Sequence, residues 1–340
     1  MKRNKFAILT TLVLGSIALW LYFNKGNGTI KTSYSNFSIA DPASVSKIIL
    51  KKRNTTILLE RQVAGDWLVN GIYPVNSNAL RSLLYTFKNM EIKEPIGKSD
   101  EEKVIKELSE QGVLCEIYGN NELTKAYYVG EETSDHSGTP MVMVDLETML
   151  PVAKAFVVYI PGVENNVGAN YFVDERAWRD HTVFKYNSAD IKSVKMEVPL
   201  YPEAGYELSL KEGWGYQLNM LSTKQLVSNL DTSAVRQYLS YFEQLNFESF
   251  ETDITPEQLG LLVKSQPLNI LTVTDNAGKT NKVQFYPLKN THNILDKDGK
   301  PLKFNPERML ALLNNGKDLV IVKFFEFGKV MPPAGYFVKK

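Results

Sequence analysis

The chain has 340 residues, 44% of them hydrophobic, and its 39 Lys plus Arg balance 38 Asp plus Glu. The resulting net charge of +1 supplies no long-range pull on a polyanion, so nucleic-acid binding is disfavoured. The length accommodates two ordinary domains with substantial cores, and the single cysteine, Cys115, has no intramolecular disulfide partner.

An uncharged run opens at Phe6 and closes at Phe23, directly after Lys2, Arg3 and Lys5. Its length reaches the roughly 18 to 20 apolar residues that span a hydrocarbon core as a helix. Residues 1–23 are therefore predicted to be a transmembrane signal anchor. The cations ahead of the run place the N-terminus in the cytoplasm and residues 24–340 outside. A cleaved signal peptide competes, with Ser16 and Ala18 at the cleavage site, but Leu19, Trp20, Leu21, Tyr22 and Phe23 continue the apolar run beyond it. Residues 24–40 read as a polar linker.

Beyond the linker the pattern repeats. Leu80, Leu83, Leu84, Phe87 and Met90 form the apolar stripe of an amphipathic helix, and 155 positions later Val235, Tyr238, Leu239, Phe242 and Leu245 form it again. The register continues from Ile92 to Phe247, Val104 to Leu259 and Leu108 to Val263. Ser99 with Glu102 reads as a capping box, and Thr255, Pro256 and Gln258 read as the matching cap. Upstream, Trp67 pairs with Trp214 at a spacing of 147. The expected organisation is a first α+β repeat at 41–160, an inter-repeat segment at 161–186, a second α+β repeat at 187–330 and a C-terminal tail at 331–340.

Each repeat begins with alternating strands (45–50, 56–61 and 67–69; 191–198, 206–210 and 216–218) that lead into the striped helix and a shorter one. Hairpins follow at Gly119-Asn120-Asn121 and Asp275-Asn276-Ala277-Gly278, with further strands at 141–145, 155–159, 283–286 and 319–324. This predicts an α+β fold with mostly antiparallel sheets, in two tandem copies after one N-terminal transmembrane helix. In the inter-repeat segment, Asp174 is placed to cap a short helix through Trp178.

Asp41-Pro-Ala-Ser-Val-Ser-Lys-Ile, Trp67-Leu-Val-Asn-Gly, Tyr127-Tyr-Val-Gly, Gly138-Thr-Pro-Met and Tyr171-Phe through Trp178-Arg-Asp-His-Thr-Val-Phe together resemble domain-of-unknown-function family 4340 (DUF4340). The resemblance covers nearly the whole chain after the anchor. It implies a single-pass protein of the bacterial inner membrane with its C-terminal domains in the periplasm, and an envelope protein partner, such as an ABC transporter. The family carries no established catalytic residues.

The residues themselves disclose no catalytic, cofactor or metal site. His136, His181 and His292 are far apart in sequence, and no Cys or His pair has zinc-finger spacing. Asp296-Lys-Asp-Gly299 reads as a tight turn, because the first ligand position of a calcium loop is Ile294. Ser44 and Lys47 have the spacing of a serine–lysine nucleophile but enter a strand, where they face opposite sides. Alternation puts Cys115 on one strand face with Val113 and Ile117, as a small core residue, and Trp67 and Trp214 sit where strands feed the core. Lys51-Lys-Arg53 reads as a solvated hairpin tip. Trp178, Arg179, Asp180 and His181 gather an aromatic ring, a cation, an anion and an imidazole. They are read as inter-repeat contacts, with Trp178 buried at the junction, ahead of acid–base work by Asp180 and His181. The expected role is a non-catalytic accessory or protein-interaction module of a membrane transport or assembly complex. A cell-wall glycan or peptide binding module is the first alternative and a hydrolase the second.

Overall fold

The computed structural model describes Gly15 and residues 32–163, 167–211, 215–291 and 293–339. The predicted anchor at 6–23 lies outside the described residues except for Gly15, as do Trp214 and His292. Among the described residues no helix is long and apolar enough to cross a membrane. The chain divides into two compact units, residues 1–180 and 181–340. The fold is α+β, and every strand pairing among the described residues is antiparallel.

In the first unit, Asp41 accepts from the Ala43 N–H at 3.0 Å and caps the turn Pro42–Ser44. The chain then enters β1 (Val45–Lys52), β2 (Thr55–Arg61), β3 (Trp67–Val69) and β4 (Tyr73–Pro74). Helix α1 (Ser77–Asn89) follows, capped by the Asn76 side chain, which accepts from the N–H groups of Asn78 and Ala79. Next come β5 (Glu91–Pro95), α2 (Glu101–Gln111), β6 (Val113–Gly119), β7 (Glu122–Val129), β8 (Thr139–Val144), β9 (Pro151–Tyr159) and α3 (Glu175–Trp178). The nine strands lie in the order β4-β3-β2-β1-β6-β7-β8-β9-β5. Ile48, Leu50, Ile57 and Leu59 alternate into the core and meet Leu80, Leu83 and Phe87 of α1. Burying each such side chain contributes about 1.5–3 kcal/mol. The β6–β7 turn holds Asn120 at φ 49° and Asn121 at φ 67°, the conformation in which a two-residue turn matches the twist of its strands.

The second unit opens with β10 (Thr182–Phe184), which pairs with β14 (Leu245–Asn246). Its main sheet contains β11 (Ile191–Glu197), β12 (Tyr206–Leu210), β13 (Tyr216–Met220), β15 (Ser249–Phe250), β16 (Asn269–Asp275), β17 (Thr280–Lys289), β18 (Phe304–Leu313) and β19 (Asp318–Lys323). Their order is β13-β12-β11-β16-β17-β18-β19-β15. Helices α4 (Thr232–Ser240) and α5 (Pro256–Lys264) precede and follow β14 and β15, and the short α6 (Phe324–Phe327) follows β19. Asp231 caps α4, and α5 carries a complete capping box in which Thr255 and Gln258 exchange bonds of 2.9 and 3.2 Å. Val235, Tyr238, Leu239, Phe242 and Leu245 are all buried.

Several local expectations differ from the structure. Ser99 does not cap α2: Asp100 stands at the N-cap, and the Ser99 hydroxyl is spent on the Asp100 carboxylate at 3.0 Å. Val263 is exposed although Leu108 is buried, because α5 turns Leu259 and Leu262 onto the sheet instead. Residues 167–180 pack into the first unit, and residues 331–339 are no loose tail, since Phe337 is fully buried in the core of the second. The sequence pattern marked no strand at β18. Met309, Ala311 and Leu313 face one core and Leu310 and Leu312 the other, so the strand reads as a continuous apolar run rather than an alternation.

Candidate functional site

The structure assigns Trp178, Arg179 and Asp180 to the first unit and His181 to the second. Asp174 caps α3 by accepting from the Arg176 N–H, and the helix delivers Trp178 into the first unit's own core, not to a junction. There the indole stacks on Phe172 with ring centres 4.2 Å apart, and its Nε1 donates to the Phe172 carbonyl at 2.8 Å. Arg179 is 7% exposed, with its guanidinium 3.5 Å from the Tyr73 ring centre and 4.0 Å from a Glu175 carboxylate oxygen of the same unit. The backbone closes the unit: Asn76 N–H donates to the Trp178 carbonyl at 2.7 Å and Asp180 N–H to that of Pro74 at 2.8 Å. His181 stacks on Phe247 at 4.3 Å, with Phe250 edge-on at 6.0 Å, and its carbonyl accepts from the Phe247 N–H. These four residues form a closing strap and an aromatic packing contact.

The other residues weighed from sequence also fall into structural roles. Cys115 is fully buried, and burial pushes its thiol pKa far up, away from the thiolate a nucleophile needs. Beside it the hydroxyls of Tyr127 and Tyr171 lie 3.0 Å apart inside the core, both raised well above the ordinary tyrosine range by burial. The Ser44 hydroxyl donates to the Asp41 carbonyl, while the Lys47 ammonium lies over the Tyr118 ring at 4.0 Å. Trp67 is 8% exposed and sits in the first core. Lys51 is not simply solvated: it pairs at 2.5 Å with Glu116, which is itself 4% exposed. Asp296 closes its turn by accepting from the N–H groups of Asp298 and Lys300. Among the described residues no three His, Cys, Asp or Glu side chains gather as a metal site.

One polar cleft stands outside that list. In the second unit, the segment after β10, the turn before β11 and the β16–β17 turn enclose about 780 Å³. Lys185 and Lys279 supply cations to it, and Asp190, Glu243 and Asp275 supply carboxylates. The geometry is held from below: Asn281 Nδ2 donates to the Val183 carbonyl at 2.7 Å, and Asn276 Nδ2 to that of Ala189 at 2.9 Å. Burial, followed by the nearby Asp275 charge, raises the Tyr186 pKa. Both charge signs in one open cleft suit a chain that itself carries ammonium and carboxylate groups. Sequence reasoning assigned Asp275 to Gly278 to turn formation and missed the cleft, because its walls come from segments almost 100 residues apart. A smaller hollow of about 300 Å³ in the first unit is lined by Arg81, Tyr85, Thr86 and Asn170 among others.

The family described as Domain of unknown function (DUF4340) matches residues 67–262, more than half of the chain. No curated protein and no solved structure matches it.

Proposed function

The chain belongs to the DUF4340 family, and from that premise we propose a membrane-tethered, envelope-facing protein whose two units arose by duplication and bind another protein of a membrane transport or assembly complex. Support for the duplication is positional. Beyond the extra edge strand β4 of the first sheet, strand order runs β3-β2-β1-β6-β7-β8-β9-β5 in one sheet and β13-β12-β11-β16-β17-β18-β19-β15 in the other. The closing strap recurs too: Asp231 N–H donates to the Phe337 carbonyl and Lys339 N–H to that of Asn229, as Asn76 does to Trp178 and Asp180 to Pro74.

The observation that carries the reading is the use made of Trp178, Arg179 and Asp180, the most chemically suggestive run in the chain. Their contacts close a fold instead of facing a substrate, so the units offer surface for binding. The uncharged run from Phe6 to Phe23 supports the tether and its orientation. Mild-detergent purification of the tagged full chain, with quantitative mass spectrometry against residues 1–40 alone, tests the partner. Reproducible enrichment of transport or assembly subunits is expected, and an empty list counts against the reading. A phosphatase that works only outside the cytoplasm, fused after Lys340, is expected to be active.

The second unit's cleft favours a second reading, a module for wall peptides that carry both charge signs. Thermal stabilisation by such peptides, lost in Lys279→Glu, is its expected signature; no shift with any of them removes it.

A further inference from the structure

At one end of the second unit's sheet, β17 finishes at Lys289 opposite Phe304 of β18, and β19 finishes at Lys323 one strand further on. Helix α6 starts at the next residue and packs back against β18 and β19. The end so formed exposes large apolar side chains: Phe325 at 79%, Leu295 at 54%, Phe304 at 40% and Phe324 at 39%. Lysines are interleaved with them. The Lys329 ammonium lies 4.5 Å from the Phe325 ring centre and that of Lys303 5.2 Å from the Phe304 ring centre.

Residues 289–304 and 323–329 together hold six lysines against three carboxylates, and beside Lys323 an Arg308 paired with Glu248 and Glu307 adds one cation and two carboxylates. Two of the three carboxylates are engaged within this end: Asp296 accepts from two N–H groups of its own turn, and Glu326 lies 4.0 Å from Lys323. Cations remain in excess at this end, seven to five. Phe and Leu side chains with lysine ammonium groups over the rings are the chemistry of a bilayer interface, where the apolar groups enter the headgroup boundary and flexible cations reach phosphates. A protein-binding patch differs in its centre, which is depleted of lysine.

We propose that this end of the second unit rests on an anionic phospholipid surface, with Phe324 and Phe325 at the headgroup boundary and Lys300, Lys303 and Lys329 on lipid phosphates. The contact is separate from the N-terminal tether, which serves only to keep the unit near a bilayer.

The test uses the full chain, reconstituted into phosphatidylcholine vesicles with and without about one third phosphatidylglycerol. Phe325→Cys, at a highly exposed position, carries an environment-sensitive fluorophore, and Cys115 is buried away from the reagent. Flotation with both vesicle types reports the tether, whereas the fluorophore reports the rim, so the two readings fail separately. A blue shift and a rise in intensity are expected only in the anionic vesicles. Changing Lys300, Lys303 and Lys329 together to Glu should reduce that signal by more than about tenfold. A label at Lys279→Cys, in the turn at the opposite end of the same sheet, should not respond. Equal emission in both vesicles, a signal that survives the charge reversal, or an equal response at position 279 would overturn the proposal.

Discussion

Lys125 and Asn281 perform the same task in their respective units. Lys125 faces Ile117 across β6 and β7, and Asn281 faces Val273 across β16 and β17. From there Lys125 Nζ donates to the carbonyls of Asn36 and Ser38 at 2.7 and 2.5 Å, and Asn281 Nδ2 to that of Val183 at 2.7 Å. Each side chain pins the segment that leads into its own unit. Just downstream of that segment, Ile39 N–H donates to the Phe87 carbonyl, and Tyr186 N–H to that of Phe242.

The two solutions differ in charge, and that difference is measurable. Burial lowers the Lys125 pKa to about 8, against an ordinary 10.5. Between those values the unfolded chain holds more protons at this site than the folded one, so the site makes stability rise as pH increases through that window. Below it both states are charged, and the folded state bears the whole desolvation penalty. Lys125→Asn should fold, since Asn281 does so in the same place, and should lose this slope. Urea midpoints compared between about pH 7.5 and about pH 10 in the two proteins isolate the effect from other titrating groups. Parallel pH profiles would show that Lys125 carries no such penalty.

Trp178 and Phe337 close their units through equivalent carbonyls, so truncating either should release its own strap. Replacing a fully buried large aromatic by Ala typically costs about 3–5 kcal/mol. In Trp178→Ala, hydrogen exchange should quicken at the amides of Asn76 and Asp180, whose acceptors lie on or beside the strap. In Phe337→Ala the amides of Asp231 and Lys339 should respond instead. Arg179→Lys keeps the charge but loses the planar stack on Tyr73, and a loss of about 1 kcal/mol is expected. Unchanged protection in both Ala variants would mean that the strap does not depend on its aromatic residue.

What the sequence made legible follows from locality. The helix stripe from Leu80 to Met90, the cap at Asp174 and the turn at Asn120-Asn121 depend on neighbours within a few positions, and all three are present. β18 was hidden because both its faces are buried, which removes the alternation that marks a half-exposed strand. From sequence, the segment from Trp178 to His181 reads as inter-repeat contacts, with Trp178 at the junction, because aromatic, charged and imidazole groups stand together between the repeats. Only tertiary structure places Trp178 on Phe172, Arg179 on Tyr73 and His181 on Phe247. The cleft around Lys185 and Lys279 was invisible for the same reason.

The Tyr127 and Tyr171 hydroxyls satisfy each other in a core where neither ionises in the ordinary range. Removing one leaves the other with only a weak sulfur contact, Met90 Sδ at 3.9 Å for Tyr171 and the Cys115 thiol for Tyr127, at a cost of about 1–3 kcal/mol. Removing both leaves two phenyl rings of the same shape. Tyr127→Phe and Tyr171→Phe should each destabilise, and the double variant should lose less than the sum of the two, by about 1 kcal/mol. Strict additivity in chemical denaturation would argue that the hydroxyls are not coupled.

Tyr34 supplies the last expectation, which concerns acid. Its hydroxyl donates to the Asp145 carboxylate at 2.7 Å and ties the turn Thr32–Ser35 to the β8–β9 connection across 111 residues of sequence. That bond, with the Thr148 and Glu147 N–H groups on the same carboxylate, holds the Asp145 pKa down to about 2, from an ordinary 3.8. A carboxyl whose folded value is depressed adds stability that is present above the unfolded value and lost as pH falls through the folded one. The contact should therefore hold until pH falls below about 4 and be released as it approaches about 2. In Tyr34→Phe the Asp145 carboxyl should titrate at a higher pH, closer to the ordinary aspartate range, as followed by its carbon chemical shift. The amides of residues 32–39 should lose protection in the same variant at neutral pH. If Asp145 titrates identically in both proteins, the hydroxyl is not what holds it ionised, and the N–H groups of its own turn suffice.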